Sequence, residues 1–428
     1  MYFNHRDCSS SCTLKELKNY YSLVLISYLL VLEKNELPIN IERRYRMKHT
    51  LYYLVYYDQL DKKIIRHVSP ATVTKASYVS KAITEIGFNV QIVSPAVPSK
   101  KGKYKGSNDI VMEGVKLKLF SSFFAKMKVS RILRRILLKI RLTLYFLFFV
   151  KRKSTIIVYH SLSLMRFVKF LKAIKQYKVI YEVNEIYGDV INNSKISQKE
   201  IKLVSKTGDA FMFPTEMMLE KININSKLYA INYGSYTNKT RYNFRFNDDK
   251  IHCVYSGTLS LDKGGSAAAA AAGLYLDERY HIHILGFGST NEIESIKQTI
   301  TNINSKTKCK VTYEGVLYDE DFDKFLQKCK IGLSTQTLDN NFNNTSFPSK
   351  ILTYLGNGLK VVSIKIEPVY NSLLKDSIVF YDEDNPQEIA KAIKKVDLTN
   401  DSAQSLLEEL DVKFKIRFKS IVSKFTDR

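Results

Sequence analysis

The stretch from Ile331 to Ile364 constrains the fold more than any other part of this sequence. It holds a short apolar run, a polar loop, one helical segment and a second apolar run. This is the strand, loop, helix, strand order of a parallel αβ unit. Pro348 suits a first helical turn, Gly358 suits a helix stop, and Ser346 is the expected N-cap. The stretch therefore predicts a short helix that packs on a parallel sheet.

The start of this helix is a candidate anion site. The helix is predicted to begin over Phe347, Pro348, Ser349 and Lys350. A helix start presents unpaired backbone N–H groups and a partial positive charge, and Lys350 adds a full charge. The pattern therefore predicts phosphate binding in the loop above the sheet.

Composition limits the class of protein and its partners. Among 428 residues, Lys and Arg number 66 and Asp and Glu 42, which gives a net charge of +24. This surplus favours nucleic acid, an anionic membrane or phosphorylated substrates, and does not choose among them. The length predicts two domains. Five cysteines without CxxC spacing predict neither a disulfide framework nor a zinc site, and they indicate a reducing, cytosolic compartment.

The chain divides into five parts by composition and spacing. Residues 1–46 are an extension of uncertain status, in which thirteen mostly apolar residues from Tyr20 to Leu32 could form a signal-like, interfacial or packed helix. The other four parts are a first Rossmann-like domain over 47–234, a linker over 235–250, a second Rossmann-like domain over 251–400, and a C-terminal helix over 401–428 that packs back toward the first domain.

Strand patterns alternate with helical patterns in both domains, which predicts the α/β class. No GxGxxG turn follows the first strand, and this disfavours a NAD or FAD site there. The predicted strands are Leu51–Tyr57, Asn89–Ser94, Thr155–Tyr159, Lys178–Val183, Ala210–Phe213, Leu228–Ile231, His252–Ser256, His281–Leu285 and Cys309–Tyr313. The predicted helices include Val73–Ile86, Ser266–Leu276, Asn291–Ile303 and Asp319–Cys329.

The segment Lys116–Lys153 carries twelve basic residues and no acidic one. On a helix, Ile132, Leu133, Ile136, Leu137 and Ile140 share one face and Arg131, Arg134, Arg135 and Lys139 lie opposite, with Phe120, Phe123, Phe124 and Leu142 to Val150 extending the apolar side. Such a helix suits an anionic membrane interface. The alternatives are a helix packed on its own sheet with a solvated basic face, and, less favoured, a nucleic-acid site.

Four motifs of the second domain together resemble one family. They are YSGTLSLDKGG (255–265), ILGFGS (284–289), YEGVLYDED (313–321) and FPSKILTYLGNGLKVVS (347–363). In this order they resemble the donor domain of GT-B fold glycosyltransferases, especially family 4 enzymes of bacterial capsule and surface polysaccharide assembly. The likeness covers residues 251–380 well and 69–231 weakly, through SPA (69–71), YHS (159–161) and YEVNEIY (181–187).

This resemblance implies two Rossmann-like domains that face a cleft. The second domain would hold a UDP-sugar, or less readily a GDP-sugar, and the first an acceptor that is a lipid-linked glycan. Transfer would proceed with retention and without a metal ion or other cofactor. The enzyme would work in the cytoplasm, on the inner face of the cell membrane, and would not bind nucleic acid.

The resemblance also assigns site residues. The implied catalytic residues are His160, Lys263, Thr345 and Lys350. The implied donor-binding residues are Gly257, Thr258, Lys263, Gly286, Gly288, Val316, Ser346, Phe347, Pro348, Ser349, Lys350 and Thr353. The alternative is a tight turn without a ligand for Gly286 and Gly288, a structural role for His160, and a solvated surface lysine for Lys263 and Lys350. Glu182 and Glu185 could be an acceptor-side base or ligand, or structural carboxylates.

Three threonines depart from the family pattern. Thr258 stands where the family has Arg, and Thr345 and Thr353 stand where it has two Glu residues, one near the sugar and one on the ribose. A threonine hydroxyl cannot hold a ribose diol as a carboxylate does. The alternatives are therefore a non-catalytic nucleotide-sugar-binding or scaffold subunit, a nucleotide-sugar epimerase, and a membrane-binding protein without enzymatic activity.

Overall fold

The fold is known from a computed structural model. It describes residues 49–59, 66–222, 224, 226–242, 244–260, 264–338, 341–399 and 403–426, without the side chains of 341 and 342. The predicted extension 1–46 lies outside the described residues, and so does Lys263.

The first domain is built on an eight-stranded sheet. Its strands lie in the order β10-β9-β8-β7-β1-β2-β5-β4, and all neighbours are parallel except β4 and β5. The strands of this domain are β1 (Thr50–Leu54), β2 (Asn89–Ser94), β3 (Lys103–Tyr104), β4 (Ser107–Met112), β5 (Val115–Leu119), β6 (Ser122–Phe123), β7 (Thr155–Tyr159), β8 (Lys178–Glu182), β9 (Ala210–Phe213) and β10 (Leu228–Ile231). The short strands β3 and β6 form a separate antiparallel pair.

Helices connect the parallel strands of this domain. They are α1 (Pro70–Glu85), α2 (Lys128–Phe148), α3 (Leu162–Lys175), α4 (Tyr187–Val190), α5 (Ser194–Thr207) and α6 (Met217–Lys221). The apolar strand residues are buried on both faces of the sheet, in two clusters that contain Tyr53 and Tyr181 among their largest side chains. Burial on both faces is the pattern that a mostly parallel sheet requires.

The second domain is built on a six-stranded, fully parallel sheet of order β13-β12-β11-β14-β15-β16. This is the doubly wound order 3-2-1-4-5-6. Its strands are β11 (Ile251–Thr258), β12 (Tyr280–Phe287), β13 (Lys310–Gly315), β14 (Ile331–Ser334), β15 (Lys360–Ile364) and β16 (Ile378–Tyr381). Its helices are α7 (Gly265–Ala271), α8 (Thr290–Asn304), α9 (Asp319–Lys328), α10 (Ser349–Gly356), α11 (Glu367–Tyr370) and α12 (Pro386–Lys394), with 3₁₀ turns at Ala272–Tyr275, Asn341–Asn344 and Lys375–Ser377.

The C-terminal helix α13 (Ala403–Thr426) packs against the first domain, which confirms the prediction. The Tyr78 hydroxyl on α1 donates to Asp411 Oδ1 at 2.7 Å, and Arg417 Nε donates to the carbonyl oxygen of Tyr229 at 2.7 Å. Phe414 and Phe418 on the same helix are buried. The last helix therefore joins the second domain back to the first.

The start of α10 differs from the prediction. The helix begins at Ser349, and Pro348, with extended backbone at ψ 107°, is the N-cap in place of Ser346. The cause is tertiary contact, because Phe347 stacks on Tyr233, which follows the last strand of the first domain, at a centroid distance of 5.0 Å. The end of the helix confirms the prediction, since Gly358 follows it at φ +79°, a conformation that favours glycine.

The basic segment also differs from the prediction. Residues 115–119 and 122–123 are strands, and the helix α2 begins only at Lys128. Phe120, Leu142, Phe146 and Val150 are buried in the core of the first domain and are not part of an exposed apolar side. Among the described residues, no helix combines the length and the apolarity that crossing a bilayer requires.

The segment between the domains, 232–250, forms neither helix nor strand in its described residues. Part of it is bonded to the second domain at the end of α10. The Lys239 backbone N–H donates to the Gly356 carbonyl at 2.9 Å, and Arg241 Nη1 donates to the Asn357 carbonyl at 2.9 Å. The role of 235–250 as a linker stays a prediction.

Candidate functional site

The candidate donor site lies at the carboxyl edge of the second sheet. The order of the strands reverses there, because β12 lies on one side of β11 and β14 on the other. In open α/β sheets this switch point is where ligands bind. The β11 and β12 turns are in close contact, because a β-carbon built on Gly286 would lie 2.1 Å from the Gly257 carbonyl oxygen. Position 286 therefore requires glycine, and Gly257 has a φ of +158°, a conformation that also favours glycine.

Lys350 comes from α10 to the same turns. Its Nζ lies 4.0 Å from the ring centroid of Tyr255, and a β-carbon on Gly257 would lie 3.4 Å from that Nζ. The Tyr255 hydroxyl donates to the Thr258 carbonyl at 3.0 Å, which fixes the ring that supports the lysine. The ammonium group is thus held beside the glycine turn of β11, as the anion-site prediction requires.

Two helices that begin at this edge differ in their capacity for an anion. At α8, Ser289 and Glu292 form a capping box, in which the Glu292 carboxylate accepts from the Ser289 backbone N–H at 2.6 Å. This carboxylate occupies the helix start beside Gly288. At α10 the N-cap is Pro348, with no side-chain capping bond. The start of α10 is therefore the one of the two that suits a phosphate.

The loop before α10 contacts the first domain through Thr345. Its carbonyl oxygen accepts a hydrogen bond from Thr215 Oγ1 at 2.9 Å. Its own side chain is 3% exposed, and its hydroxyl has no hydrogen-bond partner among the described residues. An unpaired buried hydroxyl is costly, and a ligand in the cleft is one group that could pair with it.

The remaining predicted donor residues are more scattered. Val316 follows β13 and is 38% exposed. The Thr353 hydroxyl donates to the Ser349 carbonyl of its own helix at 3.3 Å. Ser346 is half-buried, and Lys263 lies outside the described residues. The structure therefore brings together Gly257, Gly286 and Lys350.

The first domain has a matching pocket at its own switch point, between β1 and β7. It is an open cavity of about 400 Å³ lined by Tyr56, His67, Val68, Ser69, Thr72 and Tyr159. Thr72 Oγ1 donates to the Tyr159 hydroxyl at 3.1 Å. This pocket is the candidate acceptor site.

A buried ionic cluster that the sequence analysis did not predict lies at the same edge. Glu182 is 1% exposed, accepts a hydrogen bond from Tyr53, and pairs with Lys75 Nζ at 3.5 Å. Lys75 also donates to Asn184. Burial lowers the pKa of Lys75, and Glu182 opposes that shift; burial and Glu182 together raise the pKa of Tyr53. Nothing in the local sequence distinguishes Lys75 from a surface lysine of α1.

His160 follows β7, as predicted, but its side chain is not free. Its Nε2 lies 2.6 Å from Glu200 Oε1, and Glu200 Oε2 accepts from the Gly188 backbone N–H at 3.2 Å. The side chains of His160 and Glu200 are 6% and 0% exposed. This buried pair fixes the imidazole, and the contact with Glu200 on α5 was not expected from sequence. Glu185, the other predicted carboxylate, is half-buried.

Comparison with known proteins identifies the fold. No family model matches the chain, and no curated protein matches it. Solved structures do match. A sucrose-phosphate synthase from Thermosynechococcus elongatus has a TM-score of 0.62 at 9% identity, with 89% of this chain and 100% of that chain covered. A UDP-forming α,α-trehalose-phosphate synthase from Burkholderia xenovorans has a TM-score of 0.59 at 10% identity, with 88% and 98% covered.

A third similar structure is Anabaena Alr3699/HepE in complex with UDP-glucose, with a TM-score of 0.58 at 12% identity and 89% and 100% of the two chains covered. The chain has the GT-B fold. Its two Rossmann-like domains are the eight-stranded and six-stranded sheets with their helices. This confirms the predicted fold class, while the family 4 likeness and the assigned site residues stay predictions.

Proposed function

We propose that this protein is a glycosyltransferase that moves a sugar from a nucleoside-diphosphate sugar to an acceptor on its first domain. The observation that carries the proposal is the convergence of Lys350 with the turns of Gly257 and Gly286 at the switch point of the second sheet. A diphosphate leaving group needs positive charge and N–H donors as its bond to the sugar breaks. Lys350 and the start of α10 supply both kinds of group.

UDP is the proposed nucleotide. The trehalose-phosphate synthase neighbour is described as UDP-forming, and HepE was solved with UDP-glucose. We propose transfer with retention and without a metal ion at the donor site, as the sequence resemblance implies. Thr345, with its unpaired hydroxyl, would contact the donor sugar in place of the usual carboxylate.

The proposed acceptor is a lipid-linked glycan of surface polysaccharide synthesis. It would bind in the pocket that includes Thr72 and Tyr159, beside the buried Glu182. His160, held by Glu200, would face the acceptor or donor sugar at the end of β7.

Contact with an anionic membrane on the cytoplasmic side is the further part of the proposal, and α2 supports it. Its apolar stripe is exposed, with Ile132, Leu133, Ile136 and Ile140 each 50% to 55% exposed. Arg134, one of the basic residues of this helix, donates a hydrogen bond to the Phe123 carbonyl at 3.4 Å. An amphipathic helix of this kind, in a segment without acidic residues, suits anionic lipid headgroups.

Nucleotide binding tests the donor half of the proposal. Thermal stabilisation of the protein by UDP, GDP and a panel of their sugars should select UDP-sugars. Loss of a charged hydrogen bond is worth about 1.5–3 kcal/mol, so Lys350→Ala should weaken UDP binding by roughly 10- to 100-fold. Lys324→Ala is the matched control, because Lys324, on α9 of the second domain, also lies over an aromatic ring, that of Tyr242, at 5.2 Å. Equal UDP affinity in the two variants would contradict the donor site.

Sugar transfer separates the enzyme from its closest alternative. Purified protein with a labelled UDP-sugar and a lipid-linked glycan extract should release UDP and label the lipid fraction. Donor binding without transfer or UDP release would favour the non-catalytic subunit, to which the replacement of two carboxylates by Thr345 and Thr353 points.

A further inference from the structure

Three histidines of the second domain lie together far from the candidate donor site. They are His252 on β11 and His281 and His283 on β12, and they are 4%, 7% and 2% exposed. His252 lies opposite His281 in the β11–β12 register, and the alternation of a strand places His281 and His283 on the same face. A ring nitrogen of each histidine lies within 4.8 Å of those of the other two.

The cluster lies near the amino ends of its strands. His252 precedes Gly257 by five residues on β11, and at a strand rise of about 3.3 Å per residue this places it about 16 Å from the donor-site turn. Phe246 stacks on His252 at 3.9 Å and on His283 at 5.0 Å. The group is therefore enclosed in a part of the sheet that the proposed transfer reaction does not use.

Carboxylates fix the protonation of two of the rings. His252 Nε2 lies 2.6 Å from Asp248 Oδ1, and His283 Nδ1 lies 2.8 Å from Glu314 Oε1. Ionised carboxylates only accept hydrogen bonds, so each of these ring nitrogens carries the proton. In a neutral imidazole the other nitrogen is then a lone-pair acceptor. His252 Nδ1 and His283 Nε2 are those other nitrogens, and they lie 2.9 Å apart.

The hydrogen bonds of Thr312 determine which nitrogen of the third ring, His281, carries the proton. The Thr312 hydroxyl donates to Glu314, so it cannot also donate to His281 Nε2, which lies 2.9 Å from it. His281 Nε2 therefore donates to Thr312, and its Nδ1 is left with a lone pair. The three rings thus each present one unprotonated nitrogen.

Two lone pairs at 2.9 Å repel each other unless a cation lies between them. Zinc binds imidazole nitrogen at about 2.0–2.1 Å, so two nitrogen ligands at an N–Zn–N angle of roughly 90–110° lie about 2.8–3.4 Å apart. The 2.9 Å between His252 Nδ1 and His283 Nε2 falls in this range. Histidines that bind metals usually donate their other ring N–H to a carboxylate or another oxygen acceptor. Asp248 and Glu314 have this arrangement with His252 and His283.

We propose that His252, His281 and His283 bind a divalent metal ion of the zinc class, with Asp248, Glu314 and Thr312 orienting the rings. Its place at the start of β11, beside the segment that enters the second domain, gives it a structural role. An ion there would hold His252 and His283 together, and with them Asp248 of the preceding segment and Glu314 of β13. It would take no part in sugar transfer.

Metal content tests the proposal directly. The full chain, produced without a polyhistidine tag, would be loaded with Zn²⁺, dialysed against metal-free buffer and assayed by elemental mass spectrometry. We expect about one equivalent of zinc, with affinity at least tenfold weaker in His252→Gln and His283→Gln. His160→Gln is the matched control, since His160 is also buried against a carboxylate, Glu200, but in the first domain; it should keep the metal. Zinc should raise the melting temperature of the wild type and of this control only.

A second measurement uses only the wild-type protein, so it does not depend on whether a variant folds. Co²⁺ added to the wild-type protein should give visible d–d absorption that Zn²⁺ abolishes. The proposal is overturned if the wild type retains no metal and shows no such absorption, or if the two histidine variants retain the same metal content as the wild type. It is also overturned if nuclear magnetic resonance shows a proton shared by His252 and His283 that Zn²⁺ does not displace.

Discussion

Thr345 is a residue whose side chain has an unpaired hydroxyl in a buried position. Replacing it with valine removes the hydroxyl and keeps the shape. We therefore expect Thr345→Val to leave the stability of the free protein unchanged or to raise it by about 1 kcal/mol, because an unsatisfied polar group is lost. If the hydroxyl contacts the donor, the same variant should weaken UDP-sugar binding and leave UDP binding unchanged.

Urea denaturation and isothermal calorimetry would measure these two effects. Thr299→Val is the control, because the Thr299 hydroxyl donates to the Ser295 carbonyl of its own helix, α8, at 2.9 Å and no site prediction includes it. A clear loss of stability in Thr345→Val, with unchanged UDP-sugar affinity, would contradict the assignment of this hydroxyl to a ligand.

The pair of Glu182 and Lys75 supports a second prediction at the residue scale. Removing one partner of a buried ion pair leaves the other charge uncompensated, and this costs about 3–5 kcal/mol. Glu182→Gln should therefore lower the free energy of unfolding by about that amount, whereas Glu182→Gln combined with Lys75→Met should recover part of the loss. Urea denaturation of the single and double variants, with Glu185→Gln as control because Glu185 is only half-buried, provides the measurement. If Glu182→Gln is as stable as the wild type, the ion pair does not contribute to the free energy of unfolding.

Residues of the two domains were not equally predictable. The position of Lys350 in the first turn of α10 could be predicted from sequence, because Pro348 followed shortly by a lysine is a local helix-start pattern. Its role in anion binding stays a prediction. Lys75 and Glu182 are 107 positions apart in sequence, so only the β1–β7–β8 arrangement brings them together. The three histidines are likewise distributed over two strands, and no metal-ligand spacing marks them.

Helix α2 supports a prediction at the scale of elements. Burying an exposed isoleucine in a membrane interface is worth about 1.5–3 kcal/mol. We expect Ile132→Gln and Ile136→Gln each to weaken binding to phosphatidylglycerol vesicles by about tenfold or more, without loss of stability, because both side chains are half exposed in the free protein. Ile110→Gln is the control, since Ile110 on β4 is 73% exposed.

Vesicle co-sedimentation would report the binding, and added salt should weaken it because basic side chains of α2 contribute. Vesicles of neutral phosphatidylcholine should bind more weakly. Equal binding by the wild type and both α2 variants would contradict a membrane role for this helix.

Whether the boundary of an element could be predicted depended on whether its cause is local in the sequence. The end of α10 followed from Gly358 alone, but its start is set by the stacking of Phe347 on Tyr233, which no local pattern contains. Strand β5 had a local signal that the analysis missed: Val115, Leu117 and Leu119 alternate with lysines and are buried. The run of basic residues hid this period of two.

Buried tyrosines support a prediction for the whole molecule. Burial raises the pKa of Tyr145 and of Tyr181 to about 12, above the usual value of about 10. Between these values the folded state binds more protons than the unfolded state, so the free energy of unfolding should fall as pH rises from about 10 to about 12. Tyr181→Phe should reduce the steepness of this fall.

Urea midpoints across this pH range, followed together with tyrosinate absorbance, would test the linkage. Stability that stays constant through the range would contradict it.

At the scale of the whole molecule, the α/β class and the order of strands along the chain were predictable. The order within each sheet was not, because the pairing of β11 with β14, or of β1 with β7, depends on long-range packing.

The bonds of Lys239 and Arg241 join the segment between the domains to the end of α10. Lys350 lies in the first turn of the same helix. If the two domains move apart, Lys239 and Arg241 should therefore move with Lys350 as one rigid unit.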